Sequence, residues 1–330
     1  MLSLHAFWHW QVWILRELRM HIVSSSDDGY LPHYAALLHS AHLYNPDASF
    51  YLLDTGISPD NRARLFRFAD ERRIRLSVIP AADQVLRSLP NYTKRSAFGR
   101  LFIPELMPDN VERAIYLDCD MTVIGNISEL FASDLENRPF GACRDGLAST
   151  FKRESELQGL PYTADTYFNS GMLLIDLQRW REAAVTKRVI AFANKNPGLL
   201  LFMDQSAFNV EMFGQVKILD SRWNFFELDA IDKVDTTKLK IIHYAAMDRP
   251  WLSAGCPFAE LYWYHRNQTP WRQGRFKPKL SHAIRREKRR IFALLGHKTY
   301  RSHMQEYKRS ETVKEMLADP AQRRAAALAG

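Results

Sequence analysis

The chain of 330 residues contains only three cysteines, Cys119, Cys143 and Cys256. Their small odd number and the absence of metal-site spacing argue against a disulfide framework and for a reducing compartment. The sequence also lacks an apolar run close to the ~20 residues that a membrane-spanning helix needs. The glycine-rich dinucleotide fingerprint is missing as well, which disfavours a standard dehydrogenase with a dinucleotide-binding domain.

Residues 1–19 are set apart as an N-terminal extension. This segment is rich in aromatic side chains, but it has neither a basic start nor a small-residue cleavage site. We therefore do not expect a secretory signal. Two interpretations stay open, an interfacial helix and upstream sequence read from an early start site.

Positive charge is concentrated near the C-terminus. The formal net charge is +8, and basic residues are dense between Arg272 and Arg309. This placement predicts a basic helical tail over residues 257–330 on a more balanced body, and it argues against a nucleic-acid-binding fold. A basic amphipathic segment can lie on anionic lipid, or it can be a solvated helix on the protein surface.

The stretch Arg113–Gly125 organises the chain. Its apolar run Ala114–Leu117 predicts a buried strand, and Asp118 and Asp120 follow at the end of that strand. Residues two apart in extended chain point the same way, so the two carboxylates can converge on one hard cation such as Mg²⁺ or Mn²⁺. The alternatives are ordinary turn chemistry and a resemblance to the first motif of haloacid-dehalogenase-type phosphatases.

Strand and helix patterns alternate along the chain, which predicts an α/β fold with a largely parallel sheet covered on both faces. We predict strands at His21–Ser26, Ser49–Leu53, Ile74–Ile79, Ala114–Leu117, Phe140–Cys143, Asn169–Asp176, Val216–Leu219 and Lys240–His243. We predict helices at Leu31–Tyr44, Ser58–Arg73, Lys94–Met107, Ile127–Phe131, from Asp176 to Ala193, at Met203–Phe213 and at Phe258–His265. Residues 147–164 are polar and are predicted to form an irregular active-site loop.

Polar residues stand at the ends of several predicted strands, on what we expect to be one edge of the sheet. They are Asp27, Asp118, Asp120, Asp145, Asn169 and His243. Singly, Asp27 could cap the following helix and His243 could be structural, but as a set they favour a ligand site. His243 is a candidate third metal ligand. Arg100 lies off the apolar stripe of its predicted helix, so it is either solvated or able to reach a phosphate.

Together these stretches resemble the family 8 glycosyltransferases, which are retaining enzymes of the GT-A fold. The resemblance runs from about His21 to Trp251. It is carried by Ser26–Tyr30, Tyr116–Asp120, Tyr167–Gly171, Asp204-Gln205, and His243-Tyr244 with Arg249-Pro250-Trp251. It implies a GT-A catalytic domain over residues 20–256, with a mixed, mostly parallel sheet flanked by helices. The phosphatase motif belongs near the first strand, whereas here the pair lies past residue 110.

The resemblance also implies roles for individual residues. Asp118, Asp120 and His243 would hold Mn²⁺ or Mg²⁺ at the diphosphate of a UDP-sugar. Asp27 and Tyr30 would contact the nucleoside, Arg100 and Asp145 the donor sugar with Asn169 nearby, and Arg249 a phosphate. Gln205 and Asp204 would face the anomeric carbon. Ala246 and Arg249 stand where many relatives carry Gly and Lys, and Gly29 stands where some have Asn.

The expected activity is transfer of a hexose, galactose or glucose, from a UDP-hexose to a glycan hydroxyl with retention. We expect it to serve synthesis of lipopolysaccharide or another cell-surface glycan, with a glycan or lipid-linked glycan as acceptor. The expected location is cytoplasmic, with the tail on an anionic membrane at the inner face of the plasma membrane. No nucleic acid partner is expected. The rival interpretation is a non-catalytic module that binds a nucleotide-sugar or a glycan.

Overall fold

In a computed structural model, the described residues are 19–89, 95–145, 148–226, 235–245, 249–252, 256 and 258–273. The N-terminal extension except Arg19, and the basic tail from residue 274 onward, lie outside these ranges. The expectations for both segments therefore stay predictions. Within the described residues, no helix combines the length and the apolar character that crossing a membrane would require.

The fold is built on a mixed, mostly parallel sheet of seven strands in the order β3-β2-β1-β4-β7-β6-β8. β7 runs antiparallel to both β4 and β6, and the other neighbours are parallel. The strands of the molecule are β1 His21–Ser26, β2 Ser49–Asp54, β3 Arg75–Pro80, β4 Arg113–Leu117, β5 Met121–Val123, β6 Phe140–Arg144, β7 Phe168–Asp176, β8 Lys217–Leu219 and β9 Ile241–His243. The predicted fold class is confirmed.

Helices cover both faces of this sheet. They are α1 Leu31–Tyr44, α2 Pro59–Glu71, α3 Ala82–Ser88, α4 Ile103–Leu106, α5 Ser128–Phe131, α6 Ala148–Gln158, α7 Leu177–Glu182, α8 Val185–Lys195, α9 Asp204–Glu211 and α10 Ala259–Asn267. Apolar residues of α1 and α2 form one core with one face of the sheet, and those of α3, α7, α8 and α9 form a second core with the other. Central strands such as β4 and β7 are therefore buried on both faces, which explains their continuous apolar runs.

A small second sheet brings the end of the domain back to the Asp118 region. β5 pairs antiparallel with β9, and this register sets Met121 opposite His243. The amide of Tyr244 also donates to the carbonyl of Asp120 at 2.9 Å. Two segments more than a hundred positions apart in the sequence thus meet directly beside the paired aspartates.

Three local predictions need correction. The segment 147–164 is not irregular throughout, because it contains helix α6, whose inward face carries the buried polar side chains Thr150 and Glu154. The helix predicted over Lys94–Met107 is a 3₁₀ segment, Arg95–Phe102, followed by the short α4. The helix predicted to run to Ala193 breaks where Ala184 takes a left-handed φ of 50°.

Other local predictions agree with the structure. The side chain of Asp176 accepts from the amide of Arg179 at 2.9 Å and so caps α7. The aromatic helix α10 is present and packs on α1, where His33 Nδ1 lies 2.6 Å from the hydroxyl of Tyr262. The boundary between the catalytic domain and the tail, expected at residues 256–257, stays a prediction.

Candidate active site

A cleft opens at the end of β4, on the edge of the sheet where the predicted polar residues were expected to meet. Its lining includes nine of the predicted site residues, namely Arg100, Asp118, Asp120, Asp145, Asn169, Asp204, Gln205, His243 and Arg249. Thr150, Ser170, Gly171, Phe202, Phe226 and Ala245 complete it. Asn169 reaches this edge from the start of β7 because that strand is antiparallel to its neighbours.

Asp118, Asp120 and His243 form a cluster that could hold a metal ion. One ligand atom from each lies within 4.8 Å of the others. His243 Nε2 is 3.3 Å from Asp120 Oδ1 and 4.0 Å from Asp118 Oδ2. Two carboxylate oxygens and one imidazole nitrogen suit a divalent cation such as Mn²⁺ or Mg²⁺, which takes its remaining ligands from water or substrate phosphate.

The two aspartates differ in their electrostatic surroundings. Burial raises the pKa of Asp118, although the Arg100 guanidinium at 2.9 Å opposes that shift. Burial also opposes ionisation of Asp120, but His243 and Arg249 outweigh it and lower the pKa of that carboxyl. The negative charge of the pair is thus compensated only in part by the protein's own cations. A bound divalent cation would complete the compensation.

A chain of hydrogen bonds links His243 to the far side of the cleft. His243 Nδ1 is 2.9 Å from Asn224 Oδ1, and Asn224 Nδ2 donates to Asn169 Oδ1 at 2.8 Å. Asn169 Nδ2 donates to Gln205 Oε1 at 3.1 Å, and Gln205 Nε2 donates to Asp145 Oδ2 at 3.1 Å. The donors all run in one direction toward the Asp145 carboxylate, so each amide has a defined orientation.

Arg100 is buried, with only 4% of its surface exposed, so the expectation that it could be solvated is wrong. Its guanidinium lies 2.9 Å from Asp118 and 3.0 Å from Asp204, and it stacks over the ring of Tyr116 at 4.7 Å. Burial raises the pKa of Asp204 to about 6 even though Arg100 opposes that shift. Arg100 therefore connects the metal cluster to the start of α9.

The predicted nucleoside residues lie beside the cleft rather than in its lining. Asp27 accepts from the amide of Tyr30 at 3.0 Å, so its carboxylate shapes the turn that leads into α1. Arg249 Nη1 donates to the Tyr30 hydroxyl at 2.6 Å, and Arg249 Nη2 lies 3.5 Å from Asp120 Oδ2. One guanidinium thus joins this turn to the metal cluster. Ala246 lies outside the described residues.

Asn224 and Gly171 are site residues to which the sequence assigned no role, although Gly171 ends the motif Tyr167–Gly171. Asn224 lies in a turn before β9 and is 1% exposed, and no local pattern marks it as a partner of His243. At Gly171 a Cβ would lie 2.3 Å from His243 Cε1, so only glycine leaves room for the imidazole. Both depend on contacts between distant segments, which a single sequence does not display.

The mixed α/β sheet, with paired carboxylates and a histidine at its strand ends, is the arrangement that the resemblance to GT-A glycosyltransferases predicts. The model of glycosyl transferase family 8 matches residues 21–255, and the chain belongs to that family. The alternative of a dehalogenase-type phosphatase is therefore set aside.

The chain is similar to several known proteins along most of its length. It is 30% identical over 277 residues to general stress protein A of Bacillus subtilis (strain 168), covering 76% of this chain and 94% of that protein. It is 25% identical over 271 residues to lipopolysaccharide 1,3-galactosyltransferase of Salmonella typhimurium, covering 77% and 80%. Its fold matches galactosyltransferase LgtC, solved with donor and acceptor sugar analogs, at TM-score 0.67 and 24% identity, covering 76% and 96%.

Proposed function

We propose that this protein transfers a hexose, galactose or glucose, from a UDP-hexose to a glycan hydroxyl with retention at the anomeric carbon. The observation that carries the proposal is the meeting of Asp118, Asp120 and His243 next to Asp204 and Gln205 in one cleft. Family membership supports the reaction class, and the galactosyltransferase among the relatives supports the hexose.

In this proposal Asp118, Asp120 and His243 hold a Mn²⁺ or Mg²⁺ ion. Such an ion acts as a Lewis acid that stabilises negative charge on the leaving diphosphate. Arg249, next to Asp120, adds a fixed positive charge for a phosphate oxygen, and its forked guanidinium suits two contacts at once. The turn at Asp27 and Tyr30 would then receive the nucleoside.

The donor sugar would lie over Gln205, with Arg100, Asp145 and Asn169 around it. The side chain of Gln205 is held on both sides, since Oε1 accepts from Asn169 and the Ser170 amide while Nε2 donates to Asp145. A neutral amide fixed in this way can stabilise positive charge at the anomeric carbon through its oxygen. Attack by the acceptor hydroxyl on the same face would give retention.

The acceptor side of the proposal is a cell-surface glycan, free or lipid-linked, such as a lipopolysaccharide. The Salmonella relative, a lipopolysaccharide galactosyltransferase, supports this class.

We propose further that the protein is cytoplasmic and that its basic tail lies on the inner face of the plasma membrane. Sedimentation with anionic vesicles should fall when residues 272–330 are deleted, and equal sedimentation of both forms would contradict a membrane role for the tail.

A donor screen tests the activity. Purified protein is incubated with UDP-galactose, UDP-glucose and other nucleotide-sugars, with Mn²⁺ or Mg²⁺, and UDP release is measured. We expect one UDP-hexose to give metal-dependent release, and Asp118→Asn and Asp120→Asn each to abolish it. Asp47→Asn is the matched control, because the Asp47 side chain is fully exposed and outside the cleft. Donor binding without turnover for any donor and acceptor would favour the non-catalytic module instead.

A further inference from the structure

A strained turn presents Asp204 and Gln205 to the cleft. Met203 has φ 55° and ψ −124°, and the amide of Gln205 donates to the carbonyl of Phe202 at 3.2 Å. These are the features of a type II′ turn over residues 202–205, with Met203 at the position that glycine normally takes. A bulky L residue there is unfavourable, so the surrounding structure must hold the turn in place.

Ser206 holds this turn from inside. Its hydroxyl oxygen accepts from the amide of Phe202 at 2.8 Å, and the hydroxyl donates to Glu154 Oε1 at 2.7 Å. Both Ser206 and Glu154 are 0% exposed. A hydroxyl has one proton, so giving it to Glu154 leaves its lone pairs directed at the Phe202 amide.

The other oxygen of Glu154 accepts from Gln158, and Gln158 in turn anchors the segment before the turn. Gln158 Nε2 donates to Glu154 Oε2 and to the carbonyl of Leu199, the latter at 3.0 Å. Helix α6 therefore holds the chain on both sides of Met203, through Gln158 at Leu199 and through Glu154 at Ser206. Burial raises the pKa of Glu154, as expected for a carboxylate placed away from water. Burying a carboxylate costs free energy unless hydrogen bonds replace those to water, and Ser206 and Gln158 donate them here.

We infer that Glu154, acting through Ser206, is a positioning residue that holds Asp204 and Gln205 under the donor sugar. We name the pair Glu154 and Ser206 the turn clamp. The inference rests on the proposed function of the cleft, but it concerns residues that neither touch the sugar nor bind the metal. Thr150, on the same helix α6 as Glu154, lines the cleft, so the clamp also connects the Thr150 side of the cleft to Asp204 and Gln205.

The turn clamp predicts a specific kinetic pattern. Ser206→Ala keeps the volume close to that of serine but removes both hydrogen bonds, so the Met203 turn loses its support. Because a small misplacement of reacting groups is costly, we expect kcat to fall by about 10–100-fold. The KM for UDP-hexose and the affinity for Mn²⁺ should stay within about twofold, since the metal cluster lies on other segments, near β4, β5 and β9. Glu154→Gln, which changes one oxygen to a donor facing Gln158, should act in the same direction.

A rescue separates positioning from general loss of stability. Met203→Gly removes the strain at the turn, because glycine adopts this conformation freely. In the Ser206→Ala background it should recover several-fold of the lost kcat. Thr186→Val is the destabilised control, since the Thr186 hydroxyl donates to the carbonyl of Leu101 at 2.6 Å, away from the cleft lining. It should lower the melting temperature without changing kcat.

Amide hydrogen exchange over residues 200–206 tests the clamp without any activity. We expect faster exchange in Ser206→Ala and in Glu154→Gln than in the wild type, with β4 and β9 unchanged. Unchanged exchange in this segment, wild-type kcat in Ser206→Ala, or absence of rescue by Met203→Gly would each overturn the inference. A wild type that turns over no donor would overturn the proposed function instead, and the exchange result would still decide the clamp.

Discussion

Asn224 Oδ1 lies 2.9 Å from His243 Nδ1, and both residues are almost fully buried. An amide oxygen only accepts, so Nδ1 of the imidazole carries a proton. In the neutral ring, which is the form that binds a metal, the lone pair of Nε2 is therefore directed at the carboxylates, 3.3 Å from Asp120 Oδ1. Asn224 thus fixes the tautomer and the orientation of His243 for metal binding, as hydrogen-bond partners of ligating histidines usually do.

Removal of this hydrogen bond should weaken metal binding. In Asn224→Ala the imidazole is free to change tautomer and to rotate, so we expect the affinity for Mn²⁺ to fall by about 10–100-fold. Titration calorimetry of the purified variant with Mn²⁺ measures this directly. UDP-hexose turnover at saturating Mn²⁺ should recover in part.

Asn45→Ala is the matched control for this prediction. Asn45 is also buried, at 3% exposure, and its Oδ1 accepts from the amide of Ile127 at 2.9 Å, outside the cleft lining. The control should lose stability and keep the wild-type affinity for Mn²⁺. Wild-type affinity in Asn224→Ala would show that the orientation of His243 does not depend on Asn224.

A methyl group at Gly171 should displace the same imidazole. Its Cβ would lie 2.3 Å from His243 Cε1 and 2.9 Å from His243 Nδ1, so the ring has to move. We expect Gly171→Ala to reduce metal-dependent UDP release by about 100-fold or more, because a shift of about 1 Å already costs that much. In Gly198→Ala the new Cβ meets no described atom within 4 Å, so this variant should keep wild-type rates. Equal rates in the two variants would contradict the placement of His243.

Because Arg249 contacts both Tyr30 and Asp120, we predict that lysine cannot replace it fully. One guanidinium bonds to the Tyr30 hydroxyl and also lies 3.5 Å from Asp120, whereas a single ammonium group cannot keep both positions. Loss of one charge-assisted hydrogen bond should raise the KM for UDP-hexose about tenfold in Arg249→Lys, with a smaller change in kcat. Initial rates over a range of donor concentrations give both constants.

Arg188→Lys serves as the control, since Arg188 of α8 pairs with Glu211 of α9, outside the cleft lining. A KM for Arg249→Lys equal to that of the wild type would mean that the link from Tyr30 through Arg249 to Asp120 does not contribute to donor binding.

The sequence predicts the sheet well because its central strands are buried on both faces. Apolar runs such as Ala114–Leu117 and a carboxylate pair at the strand end are local signals, and they are visible in one chain. The resemblance to the family adds a second signal, because the motifs occur along the chain in the order that the family shows. The register that sets His243 beside Asp120 comes from pairing of β5 with β9, which no local pattern specifies.

The sequence fails where polar side chains are buried. From the sequence, Arg100 could be either solvated or a ligand-binding residue, because a charged side chain alone predicts exposure. In the structure, ion pairs with Asp118 and Asp204 compensate its charge in the interior. Helix α6 was missed for a similar reason, since the side that faces inward carries Thr150 and Glu154 rather than an apolar stripe. Hydrogen-bonded partners from distant segments decide both cases, and they become visible only in three dimensions.

The packing of α10 on α1 predicts that the protein loses stability in mild acid. His39 Nδ1 lies 2.9 Å from His265 Nδ1, and the two residues are 8% and 2% exposed. Burial, helped by Arg72 and His42, lowers the pKa of His39 to about 4, and burial lowers the pKa of His265 to about 3. Below the ordinary pKa of about 6.5 the unfolded chain takes up protons at these sites, while the folded protein does not.

The free energy of unfolding should therefore be highest above about pH 6.5 and should fall as the pH drops toward 4. Each histidine contributes a loss of about 2 kcal/mol at about pH 5. Urea denaturation at about pH 7 and about pH 5 measures the difference. In His39→Gln, whose amide can still bond to His265, one titrating group is gone, and the loss between these two pH values should shrink by about 2 kcal/mol. The same loss in the variant and in the wild type would show that His39 is not held neutral between the helices.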